Sequence, residues 1–456
     1  MQSEELLKAI SKAEIDNSLY DFKIKGISIY NLVKRYCRDE IMKLNGYGEK
    51  IGNPDVPIKE YRRSVLKSFG HLFKLFISRK RIDTIIRSFE RIEFINGIYV
   101  DKFTDPLIDF SNINKNYVII DPGRSGRHME PRIHKSNVIF DDAIIWLSFH
   151  VLRFKRRKFL KQNRNDLEAF FSSLANAFPQ LNIDRYKFSD SLIMSFFIIS
   201  CYKKVFKSVR AKRLIAPARN SFLLMIPAAK SLSMQVLELQ HGVTYSESLT
   251  YSGFIDPLFS PNYFLSFGKI KSPKCYGTTE DKIVEIGWAF DNYIKETIPS
   301  KQDEKRVLVI SSPAISEKMV SITCSLASQN PSIFFYFRPH PNEQLDANRL
   351  KRIGEFSNVI IDNNLENISV TLMRFDNVIG ENSTALYEAL SMGKKVGRLN
   401  MEGLDIKYLN EEDKKYFYII SDVTSFIKFI NSPIGEKPSL NIYTPFKPEA
   451  FNTLVL

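Results

Sequence analysis

Cysteine is scarce in this chain: 4 in 456 residues, at Cys37, Cys201, Cys275 and Cys324, with no CxxC or CxxxC pair among them. That spacing offers neither a zinc ribbon nor a disulfide framework, and a reducing compartment is the simpler setting. The N-terminus lacks the basic and apolar regions of a signal peptide, so secretion is not expected. The longest apolar stretch, SLIMSFFIISCY at 191–202, falls short of the ~20 residues a bilayer-spanning helix needs and reads as a core helix. There is no repeat of solenoid period, no low-complexity tract, and no zinc-finger, RNP or KH signature. A DxD-type metal site beside a strand is also missing, so neither a metal nor another cofactor is expected.

Positive charge is what the chain does have. Against 51 Asp and Glu stand 65 Lys and Arg, a formal charge of +14, which calls for a nucleic acid, an anionic membrane surface or a phosphorylated substrate. Basic residues alternate with aromatics at 63–81 and 153–164, the pattern of helices with one apolar and one cationic face. Two readings of these helices stay open, contact with a membrane surface and solvated faces above an ordinary core.

Strands and helices alternate in the second half: RVLVISS, SIFFYFRPH, NVIID, NVIGE and KKVGRL read as strands separated by helical segments. Such spacing requires parallel βαβ crossovers and a doubly wound sheet. In the first half YVIID (117–121), RLIAPA (213–218), QVLELQ (235–240), YFLSFG (263–268) and KIVEIG (282–287) are candidate strands, and the first hundred residues read as mostly helical. The polar stretch 291–305 suggests a boundary, giving an N-terminal domain of 1–295 and a C-terminal domain of 296–456. The expected fold class is α/β: two Rossmann-like domains with a cleft between them.

Three segments carry candidate chemistry. In NVIGENSTALYEALSMG, Gly380 allows an unusual backbone angle and Asn382, Ser383 and Thr384 open an amphipathic helix that Gly393 closes. The free N–H groups and positive dipole end of that helix suit a phosphate, although Asn382 or Ser383 as a plain cap is the ordinary alternative. Glu388, a turn further on, either meets a sugar or ribose hydroxyl or faces solvent, and Glu381 stands directly at the strand end. In FFYFRPHPNEQ, Arg338 and a His340 held between Pro339 and Pro341 suit a departing phosphoryl group. In ELQHGVTYSES, His241 follows a strand, between Gln240 and Gly242, where open α/β sheets put their chemistry. DPGRSGRHMEPR lacks the GK[ST] of a P-loop; its Arg124 and Arg127 either bind an acceptor phosphate or lie on a basic surface loop.

The QHG loop, the RPHP strand end and the ENSTALYEAL helix, in this order, resemble the two-domain GT-B type enzymes of bacterial surface polysaccharide assembly. These include the histidine–proline motif transferases that use CMP-sialic acid or CMP-Kdo, and the polyol-phosphate transferases that use CDP-glycerol. The resemblance covers about 214–399. It implies a C-terminal domain that binds the nucleotide through His340, Pro341, Ser383 and Thr384. The polyol-phosphate enzymes usually carry HGTP where this chain reads HGVT, which puts sugar transfer ahead of phosphotransfer.

The resulting expectation is a metal-independent glycosyltransferase moving a sugar from a nucleotide-sugar donor, CMP-linked by preference, to a hydroxyl of a lipid-linked or oligosaccharide acceptor. His241 is the expected general base, with Glu247 and Asp256 as alternatives and a loop-locking role for His241 also open. Arg338, His340, Pro341, Glu381, Asn382, Ser383, Thr384 and Glu388 are expected on the donor side. Gln240, Gly242, Arg124 and Arg127 are expected on the acceptor side. Location is expected to be cytoplasmic and peripheral at an anionic inner-membrane surface, with no nucleic acid as partner. A CDP-polyol phosphotransferase, a sugar-nucleotide epimerase and a nucleic-acid-binding protein are the alternatives.

Overall fold

The computed structural model describes residues 3–46, 58–78, 80–89, 92–95, 97–113, 116–123, 127–242, 248–270, 272–294, 306–341, 343–363, 366–381, 383–401, 404, 414–435 and 443–455. The chain divides into two units, Met1–Ser266 with Ile270–Ile286 and Lys447–Leu456, and Phe267–Lys269 with Gly287–Phe446. In this division the chain passes into the second unit at Gly287, after a brief excursion at 267–269, and leaves it after Phe446, so that its last segment packs with the first unit.

The first unit is built on β1 (Thr84–Arg87), β2 (Tyr117–Asp121), β3 (Val138–Phe140), β4 (Arg213–Pro217), β5 (Gln235–Leu239), β6 (Tyr263–Ser266) and β7 (Ile283–Glu285). The second contains β8 (Arg306–Ile310), β9 (Phe334–Arg338), β10 (Val359–Ile361), β11 (Asn377–Gly380), β12 (Lys395–Leu399) and β13 (Tyr418–Ile420). Their orders are β7-β6-β5-β4-β1-β2-β3 and β10-β9-β8-β11-β12-β13, and every pairing within them is parallel. Parallel strands covered on both faces need no polar alternation, which is why most central strands are continuous apolar runs. Two parallel-sheet α/β units of this kind make up the Rossmann-like pair of the GT-B type architecture.

The helices that matter here are α1 (Ser3–Asp16), α2 (Ile29–Leu44), α3 (Ile58–Ser78), α4 (Asp142–Gln162), α5 (Arg164–Ala177), α6 (Arg185–Ser208), α7 (Met225–Lys230), α8 (Ser316–Gln329), α9 (Ala347–Gly354), α10 (Ile368–Met373), α11 (Thr384–Ser391), α12 (Val423–Asn431) and α13 (Pro448–Val455). The apolar stretch at 191–202 lies within α6, as expected, and buries Ile198, Ile199 and Tyr202 among Ile85, Val118 and Leu214 of the first sheet. The N-terminal extension has its own core, in which Ile10, Ile29, Val33 and Cys37 meet Leu167, Phe170 and Leu192. At its centre the buried Glu14 accepts hydrogen bonds from Tyr20, Tyr30 and Arg38 at 2.6 Å each. Arg38 also donates to Ser252 Oγ at 2.7 Å, so the extension grips the loop that follows β5. In the second unit Val307, Val309, Phe335, Phe337 and Ile379 of the sheet pack against Met319 of α8 and Phe426 and Phe429 of α12. Among the described residues no helix is long and apolar enough to cross a membrane.

Candidate functional site

In each sheet the chain reverses its direction of winding once, between β1 and β4 in the first unit and between β8 and β11 in the second. The carboxyl ends of the strands flanking such a switch point diverge, leaving backbone groups and loop side chains open to a ligand.

In the second unit the loop from β11 to α11 leaves this point. Gly380 pairs with Ile310 of β8, and a Cβ at 380 would stand 3.0 Å from the Ile310 carbonyl oxygen and 3.3 Å from Leu386. This close approach favours a glycine, whose φ is not positive, so the unusual backbone angle that it would allow is not used. Ser383 is the N-cap of α11, its Oγ accepting from Ala385 N–H at 3.3 Å. Ser383, Thr384 and Glu381 are half-buried, and Gly393 ends the segment at φ +72°. Glu388 is buried against α10, where Ser369 Oγ donates to it at 3.4 Å, so it is not a solvent-facing carboxylate. Asn382 lies outside the described residues.

The β9 end arranges its cations unlike the expectation. Arg338 is buried and donates to Asp362 at 2.6 Å, Thr371 Oγ1 at 2.8 Å and the Glu366 carbonyl at 2.5 Å. With its charge countered by Asp362, it clamps β9 to the segments flanking it through both terminal nitrogens. His340 and Pro341 are exposed. Glu343, which sequence reasoning missed, fixes the turn: it accepts from His340 N–H at 3.0 Å and from Ser311 Oγ at 2.9 Å. Its own N–H returns to the His340 carbonyl at 2.7 Å. A Glu three residues after the histidine was the available signal.

In the first unit His241 follows β5 and is half-buried, its ring 6.0 Å from that of Phe89 after β1 and 6.3 Å from that of Tyr251. Gln240 points inward, donating to the Gly242 carbonyl at 3.0 Å and to Tyr276 Oη at 3.2 Å. Gln240 and Gly242 therefore hold the loop that presents His241 and do not offer these groups to an acceptor. Beneath them Glu238, fully buried, accepts from Arg219 Nε and Tyr251 Oη, both at 2.8 Å. Burial and the Glu238 charge raise the Tyr251 pKa well above its ordinary value, which keeps that hydroxyl a donor. Asp256 is committed on both oxygens, to Leu258 N–H at 2.8 Å and the Asn31 amide at 2.7 Å, which makes it a turn-former tied to α2 and a poor candidate base. Asn31, Lys34, Arg35, Asn220 and Thr250 line a small open pocket next to it. Glu247 and Arg124 lie outside the described residues.

The basic loop after β2 splits into two parts. Arg127 is exposed and paired with Glu60 at 2.6 Å. His128 instead turns into the protein between Asp121 at 2.6 Å and Asp142 at 2.8 Å, with Ser64 Oγ 2.9 Å away. Asp121 also accepts from Ser88 and Arg132, and Arg132 reaches Asp105 at 3.3 Å. Burial, with Asp105 adjacent, pushes the Asp101 carboxyl up to about 7. This buried network at the ends of β1 and β2 was invisible as a unit because its members come from 64, 88, 101–105, 121–132 and 142.

No protein-family model matches the chain, and no curated protein matches it. Among solved structures it is similar to the UDP-GlcNAc 2-epimerase of Methanocaldococcus jannaschii, at TM-score 0.49 and 9% identity over 82% of this chain and 98% of that one. It is similar to the Neisseria meningitidis UDP-GlcNAc 2-epimerase bound to UDP-GlcNAc at TM-score 0.48 and 13% identity, again over 82% and 98%. A wall teichoic acid polymerase, TagF, aligns at TM-score 0.37 and 12% identity over 83% of this chain and 80% of that one. Likeness at this level transfers no function.

Proposed function

We propose that the chain is a glycosyltransferase that moves a sugar from a nucleotide-activated donor, a CMP-sugar by preference, to a hydroxyl of a growing surface polysaccharide. The observation that carries the reading is the second unit's switch point, where the Ser383-capped start of α11 stands at the sheet's carboxyl edge, on the other side of β8 from the strand that ends in the Glu343-braced turn of His340. Helix N–H groups, two hydroxyls and an imidazole suit a nucleotide phosphate.

In the reaction the acceptor oxygen bonds to the anomeric carbon as the bond from that carbon to the donor phosphate breaks. The electron pair leaves with the nucleotide, whose charge His340, Ser383, Thr384 and the α11 dipole stabilise. The acceptor proton passes to the imidazole of His241. Arg338, Glu343, Gln240 and Glu238 keep the presenting loops in shape and take no part in bond making.

The same reading puts the enzyme at an anionic membrane surface, where lipid-linked acceptors are found. Support comes from the first unit. On α3, Leu66, Phe73 and Ile77 are 71%, 67% and 62% exposed, and Phe154 of α4 is 85% exposed. The rings of Phe69 and Trp146, 5.9 Å apart, join the two helices, and Arg62, Arg63, Lys67, Lys74 and Arg153 are exposed around them. Apolar side chains ringed by cations favour an anionic lipid interface.

The test is product analysis with CMP-, CDP-, UDP- and GDP-activated donors, each with and without a lipid-linked oligosaccharide acceptor. Acceptor-dependent release of nucleotide supports the reading. Conversion of a sugar nucleotide with no acceptor replaces it with an epimerase.

A further inference from the structure

We propose that Arg398, on β12, is a receptor for the phosphoryl group of a nucleotide bound at the start of α11. The inference deepens the donor reading above and rests on it.

Arg398 is 0% exposed, and among the described residues none of its three guanidinium nitrogens has a hydrogen-bond partner. It is exceptional in this. The other buried arginines, Arg38, Arg87, Arg132, Arg219 and Arg338, each face a carboxylate. Even Lys395, on the same strand, places its ammonium on the carbonyls of Ile430 and Ser432 at 2.8 and 2.7 Å. A guanidinium cannot shed its proton to escape an apolar site, so an unpaired one is a standing cost to the folded state.

The position of the side chain identifies its counterion. Arg398 is paired with Gly380, and residues side by side on parallel strands point to the same face of the sheet. At Gly380 that face looks toward Leu386 of α11, whereas Gly397 faces Ile420 and Ile379 on the opposite side. The guanidinium carbon lies 5.5 Å from the ring centre of Phe417, which packs edge-on against Tyr387 in the first turn of α11 at 5.2 Å. One residue separates Arg398 from the end of its strand, a rise of ~3.3 Å that its three methylenes and guanidinium exceed. No polar bond holds it over Phe417. The partial positive charge of the α11 N-terminus and a cation met, among the described residues, only by the face of Phe417 thus occupy the same corner of the second unit, and an anionic phosphoryl group answers both.

The experiment uses the full chain. Wild type, Arg398→Met and Arg398→Lys are melted without ligand and titrated calorimetrically with CMP, CDP, UDP, GDP and inorganic pyrophosphate. Arg398→Met is expected to lose roughly ten- to hundredfold in affinity for the nucleotide that wild type prefers, the equivalent of one charged hydrogen bond. Its ligand-free melting temperature is expected to equal or exceed that of wild type, because an unpaired buried charge has been removed. Arg398→Lys should recover part of the affinity, having the charge without the fork.

Equal affinity of wild type and Arg398→Met overturns the inference, and so does a Met variant that melts lower or fails to fold, since the guanidinium would then be core packing. Failure of the donor reading shows separately, as a wild type that binds none of the four nucleotides. In that case pyrophosphate decides: binding lost in Arg398→Met keeps the anion site, and absent or unchanged binding removes it.

Discussion

His128 and Phe140 lie face to face, their ring centres 3.3 Å apart and their planes 7° from parallel, while Asp121 and Asp142 hold the imidazole from its two nitrogens. Burial alone would lower the imidazole pKa, but the hydrogen bonds and charges of the two aspartates outweigh it and push it up to about 9 from 6.5. A raised folded-state pKa gives stability that is complete below the unfolded value and fades as pH climbs through the folded one. His128→Gln should therefore cost on the order of 2 kcal/mol near pH 6, with the gap to wild type closing between about pH 6.5 and 9. Denaturant melts across that range check it, and a gap that widens with pH would contradict the ion-pair account.

Gly380→Ala tests the crowding at the second switch point. The new methyl would sit 3.0 Å from a backbone oxygen that the sheet holds in place, so the variant should lose about 1–3 kcal/mol as β11 or β8 shifts. Chemical denaturation measures it. A neutral result would mean that the two strands separate there more easily than their register suggests.

Substitutions at the proposed chemical groups should separate binding from turnover. His241→Ala should leave nucleotide affinity intact and lower kcat by about 10²–10⁴, the usual contribution of a general base. Ser383→Ala combined with Thr384→Ala should raise the nucleotide Kd severalfold, from loss of the cap and of two hydroxyl donors. Normal turnover in His241→Ala would leave the histidine as a loop element only.

The exposed face of α3 and α4 makes a prediction about location. Phe73→Glu together with Phe154→Glu should abolish flotation with phosphatidylserine-containing liposomes at low salt and leave the melting temperature within about 2 °C, because neither ring is part of the core. Flotation unchanged by the pair, or absent in wild type, would count against a membrane surface.

The second unit was largely legible because its sheet is wound from evenly spaced strands: those expected at 306–312, 332–340, 358–362, 377–381 and 394–399 all occur, each trimmed by one to four residues. Its sixth strand, Tyr418–Ile420, was missed; three residues show no period. The costlier miss was β1, an interior strand of the first sheet at its switch point, in a region read as mostly helical. Thr84–Arg87 is four residues long, buried on both faces and preceded by a run of basic residues, so only its pairing with β2 and β4 defines it.

Site residues divide in the same way. A strand-end histidine or a helix-opening Ser-Thr pair shows in sequence because the loop chemistry is local. The inward turn of Arg338, the commitment of Asp256 to Asn31, and the isolation of Arg398 depend on partners tens or hundreds of residues away. An arginine within KKVGRL reads equally well as a surface residue until its register with Gly380 puts it under α11.

The return of the chain end has a consequence for synthesis. Lys447 N–H donates to the Ile286 carbonyl at 2.7 Å, Asn112 N–H donates to Asn452 Oδ1 at 2.9 Å, and Phe451 and Val455 are buried. The segment 447–455 leaves the ribosome only after all of 287–446 has been made. The unit begun first is thus the one finished last, and its nascent form must wait with the seat of α13 uncovered while the later-made sheet closes ahead of it.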